Sequence, residues 1–169
     1  ERQALFERDD EFVAWWAHTH EQEKRALEGF VDWATAMRRA DPAMHIYHYG
    51  AYELSALRRL TMRHATREEE VDALLRSNVL VDLYEVVRGA LLLGTDNYSI
   101  KSVEKVYRAT EDPGGTGRGT AVVKGDQSVV VYDAWLEQPD GQDTAHSAVL
   151  ASLLEYNRDD CISTRQLAD

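Results

Sequence analysis

Apolar positions near the start of the chain recur at intervals of three and four residues: Phe12, Trp15, Trp16, Leu27, Phe30, Val31, Ala34 and Met37. That period is helical. It predicts two helices within residues 9–39, a short one and a longer one, separated near Thr19. Thr19 followed three residues later by Gln22 has the form of a capping box, and Asp41-Pro42 ends the second helix because proline disfavours helix in the residue before it. Trp15, Trp16 and Trp33 are read as core rather than as a platform for stacked bases. At residues 44–49 the pattern changes to alternation rich in aromatic residues, which predicts a short strand. Gly50 permits a sharp exit into a helix over 52–61. A helix over 67–76, a strand over 79–81 and a helix over 83–92 follow, with Asp82 placed to cap the last of these. Residues 99–107 predict an amphipathic helix with Ser99 as its cap and Ile100, Val103 and Val106 on its inner face. The run 128–135 contains Val129-Val130-Val131-Tyr132 and fits either a strand or the start of a helix. Asp140-Gly141 turns the chain into a final helix over 146–167, with Val149, Leu150, Leu153, Leu154, Ile162 and Leu167 as its apolar positions.

Short strands separated by helices indicate an α/β fold rich in helix. The length, with 44% hydrophobic and 29% charged residues, suits one compact domain over residues 1–169. No run of eighteen apolar residues and no basic-then-apolar leader occurs, so a cytoplasmic protein without a membrane span is expected. Cys161 stands alone, without a CxxC or Cys/His cluster. This removes disulfide and cysteine-based zinc frameworks, and Cys161 is read as a small buried residue. Residues 112–119 hold four glycines and a proline among polar residues and predict a flexible loop. Neither GxxxxGK[ST] nor GxGxxG follows a strand there, so a phosphate-cradling loop is rejected. The net charge of −11 argues against broad binding to nucleic acid through neutralised phosphates. It leaves room for carboxylates that hold divalent cations, the metal then meeting the phosphate. Much of the acid, as at Glu68-Glu69-Glu70, belongs to solvated faces.

Tyr156 and Asp160 stand one helical turn apart and therefore share a face. The strands lead into Glu53 and Asp82. Carboxylates gathered from strand ends and a late helix are what a two-metal phosphodiesterase needs, as oxygen ligands for Mg²⁺ or Mn²⁺. A phenol titrates far above neutrality, so Tyr156 suits the positioning of a water more than proton abstraction. His45 and His48, three residues apart in a strand, face opposite sides, so one packs and the other lies by the site. Asp82 is first a helix cap, Asp159 a solvated neighbour of Asp160, and Lys101 either a phosphate contact or a surface charge. Asp159, Asp82, His48 and Lys101 are accordingly secondary candidates.

Four segments, HIYHYGAYELSAL (residues 45–57), VLVDLYEVVRGAL (79–91), NYSIKSVEKVY (97–107) and LLEYNRDDCISTRQL (153–167), resemble the ribonuclease H-like exonuclease domain that accompanies bacterial RecB-like nucleases. That domain is a branch of the DEDD exonuclease superfamily, in which four acids bind two metal ions and a third-motif tyrosine defines the DEDDy subclass. The resemblance implies a ribonuclease H-like fold. Tyr156 and Asp160 match the Y-x-x-x-D element, and Glu53 matches the second-motif acid, commonly aspartate. It implies Glu53 and Asp160 as ligands of Mg²⁺ or Mn²⁺, Tyr156 orienting the attacking water, and 3′–5′ exonuclease activity on single-stranded DNA or on RNA. A helicase or RecB-like nuclease is the implied partner. The first motif, an aspartate and a glutamate one residue apart on a hydrophobic strand, is expected upstream of the Phe12 region. Asp9-Asp10-Glu11 has the spacing but lies in a polar stretch. The chain is therefore expected to be an N-terminally truncated portion that lacks the first strands and two acids, to be inactive alone, and to pair with a second copy through its unfinished sheet in a crystal. The alternative is a non-catalytic module of the same fold that docks onto a helicase or nuclease.

Overall fold

A computed structural model describes residues 6–8, 12–94, 97–108 and 125–169. In chain order the elements are β1 (Phe6–Arg8), β2 (Val13–Trp15), α1 (His20–Ala40), β3 (Ile46–His48), α2 (Tyr52–His64), α3 (Glu68–Arg76), β4 (Leu80–Asp82), α4 (Leu83–Ala90), α5 (Ile100–Arg108), α6 (Gly125–Glu137) and α7 (Ala148–Ala168). The expected helix-rich α/β character is present. The elements fall into two compact units, within Arg2–Ser99 and Ile100–Leu167. The glycine-rich run 112–119 and Asp9-Asp10-Glu11 lie outside the described residues.

In the first unit the short helix expected before Thr19 is instead strand β2, paired antiparallel with β1 so that Phe6 faces Trp15 and Arg8 faces Val13. The segment is too short to offset the cost of starting a helix. A neighbouring strand satisfies its backbone instead. Trp15 then reaches α1, with its ring edge-on to Phe30 at 5.9 Å and tilted to Trp33 at 5.8 Å. The tryptophan stripe is only partly core, since Trp33 is 42% exposed and Met37 46%. Thr19 caps α1 as expected, accepting from the Gln22 amide at 3.2 Å, but the reciprocal bond of a capping box is displaced by one residue: Gln22 Oε1 accepts from the His18 amide at 2.8 Å rather than from that of Thr19.

The core of this unit lies between helices. Leu27 and Val31 of α1 meet Leu57 of α2 and Val71 of α3, while Ala34, Leu74 and Val79 form a second cluster. Phe30 and Leu80 pack against both clusters. Each such leucine or valine contributes about 1.5–3 kcal/mol through burial. Parallel strands require a crossover, and α2 with α3 supplies it between β3 and β4. Their register sets Ile46 opposite Leu80, Tyr47 opposite Val81 and His48 opposite Asp82.

The second unit contains α5, α6 and α7. Along α5 the inward stripe contains Ile100, Val103, Glu104 and Tyr107, with Val103 and Glu104 buried. Val106 is 49% exposed, contrary to expectation. It lies six residues from Ile100, about 240° around the helix. Residues 128–135 resolve as helix. Val129 and Val130 face solvent, and the Tyr132 and Trp135 rings stack at 5.8 Å with Trp135 buried. The i, i+3 aromatic pair decides for helix over the β-branched run. On α7, Ile162 is exposed rather than buried, and so is Cys161. Neither lies on the stripe through Leu150, Leu153, Ser163 and Leu167, so the reading of Cys161 as a buried residue is corrected.

The start of α7 is held by Ser147 and Asp140. Ser147 Oγ accepts from the Leu150 amide at 3.0 Å and donates to Asp140. Asp140 also accepts from the Ala148 and Val149 amides at 2.9 and 3.3 Å. The Ser147 hydroxyl, with these amides, holds the Asp140 carboxyl below its usual range. A depressed carboxylate stabilises the fold above its unfolded value, and that contribution is lost as pH falls through the folded value. Acid melting followed by circular dichroism is therefore expected to show a step below about pH 4 that Asp140→Asn shrinks.

Candidate functional site

The carboxyl ends of β3 and β4 are tied together by one aspartate. Asp82 Oδ1 accepts from the Gly50 amide at 2.8 Å and, as the cap of α4, from the Tyr84 amide at 3.0 Å. Gly50 has φ +88°, a left-handed conformation in which a side chain costs about 1–2 kcal/mol, so glycine makes this exit from β3 inexpensive. Its carbonyl accepts from His48 Nδ1 at 2.8 Å. His48 ends β3 and is buried, whereas His45 is exposed. The expected division, one histidine packed and the other by the site, is not the one seen: the packed His48 is itself the one beside the candidate acid Glu53. Glu53, in the first turn of α2 where acids suit the helix dipole, places Oε2 3.8 Å from His48 Nδ1 and is about half exposed.

Asp82 therefore acts structurally, as its capping position implied. Asp82→Ala is expected to cost about 1–3 kcal/mol in urea denaturation by removing both bonds, and Asp82→Asn to recover most of it. A loss in Asp82→Asn as large as in Asp82→Ala would show that the charge, not the acceptor oxygen, matters there.

In the second unit α7 carries Tyr156 and Asp160, both half-buried, along the inward stripe. Asp159 is half-buried on the adjoining face. Lys101 is more than a solvated charge: its Nζ lies 5.0 Å from the centroid of the Tyr156 ring, a cation–π contact that fixes α5 against the tyrosine. One turn further, the Tyr107 hydroxyl donates to the Ser163 carbonyl at 3.0 Å, and Ser163 Oγ donates to Glu104 at 2.7 Å in a fully buried bond. Sequence reasoning did not single out Glu104. Its signal was an acid at the i+4 position from Ile100, inside an apolar stripe. Buried and hydrogen-bonded, it locks α5 to the turn of α7 that follows Asp160.

Glu53 belongs to the first unit, and Tyr156, Asp160 and Lys101 to the second. All the candidate ligand atoms are hard oxygens, which fits Mg²⁺ or Mn²⁺ and not a thiophilic metal. Among the described residues no helix is long and apolar enough to cross a membrane.

A family model described as RNase_H superfamily matches residues 4–169. No curated protein and no solved structure matches the chain.

Proposed function

The chain belongs to the ribonuclease H superfamily, and from that premise we propose a metal-dependent 3′–5′ exonuclease of the DEDDy type, acting in the cytoplasm on single-stranded DNA or RNA beside a helicase or RecB-like nuclease. Nucleases of this fold act on nucleic acid and generally use divalent metals. The family match spans almost the whole chain, which supports treating it as one ribonuclease H-like domain.

Asp160 and Glu53 would each offer an anionic oxygen donor to Mg²⁺ or Mn²⁺. The bound ions supply an activated water and neutralise charge on the leaving oxygen. Tyr156, one turn before Asp160, orients that water through its hydroxyl. Lys101, seated over the Tyr156 ring, restricts the ring and brings a positive charge close enough to meet a substrate phosphate. The observation that most supports this reading is the shared inward stripe of Tyr156 and Asp160 with Lys101 above the ring.

Tyr156→Phe tests the proposal because it removes one oxygen and leaves the ring beneath Lys101. Mn²⁺-dependent digestion of end-labelled single-stranded DNA by the full-length protein is expected to slow about tenfold to a hundredfold. Unchanged digestion would remove Tyr156 from the mechanism, and no metal-dependent digestion by the unsubstituted protein would favour the non-catalytic docking module.

A further inference from the structure

We propose that His20, Glu23 and His64 form a binding site for a divalent cation of the zinc, cobalt or nickel class, clamping the start of α1 to the end of α2. The inference is independent of the nuclease reading. Glu53 stands at the first turn of α2 and His64 at its last residue, eleven residues on and roughly 16 Å along the helix axis.

Three elements of local structure bring the group together. The Thr19 cap starts α1 at His20, so His20 and Glu23 lie three residues apart on one face of its first turn. α2 ends at His64, whose side chain is almost wholly buried and whose Nε2 lies 2.8 Å from Glu23 Oε2. The His20 and His64 rings approach to 4.4 Å between centroids, and one ligand atom from each of the three residues lies within 4.8 Å of the others. His20 is exposed, giving an ion a path in from solvent, while His64 closes the inner side.

The donor set selects the ion. Two imidazole nitrogens and one carboxylate oxygen suit zinc and its neighbours, and they are a poor set for magnesium or calcium, which take oxygen. Tetrahedral ligands at 2.0–2.1 Å from zinc stand about 3.3 Å apart. The Glu23–His64 pair therefore needs to open by only about 0.5 Å, and His20, free of burial, can turn inward. Three protein ligands leave a fourth position for water. Arg63 Nη1 lies 3.2 Å from Glu23 Oε1 and 2.9 Å from Oε2. It can keep Oε1 while Oε2 turns to the ion, which is the usual arrangement around a ligating carboxylate. Its positive charge weakens the pull on any cation, so the site discriminates by ligand type more than by charge.

The test uses the full-length protein, stripped of metal and free of any tag, titrated with Co²⁺ and followed by visible absorption. One equivalent of Co²⁺ is expected to give the intense bands of a tetrahedral or five-coordinate site, and Zn²⁺ to displace it and raise the melting temperature. His20→Ala, an exposed substitution that leaves the fold intact by circular dichroism, is expected to abolish the bands and weaken Zn²⁺ binding about tenfold or more. Asp160→Asn and His146→Ala are expected to retain them. Absence of the bands in the unsubstituted protein, or their persistence in His20→Ala, would overturn the proposal.

Discussion

Asp160→Asn is expected to reduce Mn²⁺-dependent nucleolysis by the full-length protein about a hundredfold or more, equivalent to about 3 kcal/mol of barrier. An amide would offer the proposed ion one neutral oxygen in place of an anionic ligand. The substitution conserves shape, and the Asp160 carbonyl that accepts from the Thr164 hydroxyl at 2.8 Å belongs to the backbone and is left in place. Melting is therefore expected to shift by no more than a few degrees, so that activity and stability part company. A fall in stability that tracks the loss of activity would instead make Asp160 a structural residue of α7.

The largest effect on stability is expected from Gly141→Ala. A Cβ at Gly141 would stand 2.2 Å from the His146 carbonyl oxygen, 2.3 Å from its carbon and 2.7 Å from the Ser147 nitrogen. All three are backbone atoms, so no side-chain rotation relieves the overlap. The turn must open, and that turn aligns Asp140 and Ser147 on the first amides of α7. Overpacking and the lost cap together are expected to cost about 2–5 kcal/mol in urea denaturation. Gly89, in α4, has nothing within 4 Å of the equivalent position. Gly89→Ala is expected to be neutral or to stabilise by up to about 1 kcal/mol through helix propensity. Similar effects of the two substitutions would contradict the steric account of the turn.

Much of the first unit was legible because its signals are local. An N-cap threonine, a proline two residues past the end of α1, a glycine after a strand and an aspartate before a helix each act within a few residues, and each appears where its chemistry placed it. The misreadings arose where a distant partner decides. Phe12, Trp15 and Trp16 have helical spacing, yet β1 turns their segment into a strand, and no local rule contains β1. The run with Val129, Val130 and Val131 is open between strand and helix by sequence, and burial of Trp135 settles it as helix. Val106, Ile162 and Cys161 have the chemistry of core residues but stand off the stripes that α5 and α7 bury. Hydrophobicity alone did not order them; their angular position did.

At the candidate site, the common stripe of Tyr156 and Asp160 followed from their four-residue spacing, and the capping role of Asp82 from its place before a helix. The contact of Lys101 with Tyr156 did not follow, because it depends on the packing of α5 against α7. The buried bond from Ser163 to Glu104 was hidden for the same reason. The His20, Glu23 and His64 group joins residues more than forty positions apart, and only the antiparallel return of α2 along α1 brings them within reach.

In the proposed function this superfamily member cuts nucleic acid with the acid on α7. The most direct measurement is a time course of single-stranded DNA digestion by the full-length protein in Mn²⁺, run beside Asp160→Asn at equal folded concentration. The account predicts stepwise loss of nucleotides from the 3′ end by the unsubstituted protein and about a hundredfold slower loss by Asp160→Asn. Equal rates, or no metal-dependent digestion by either protein, would contradict it.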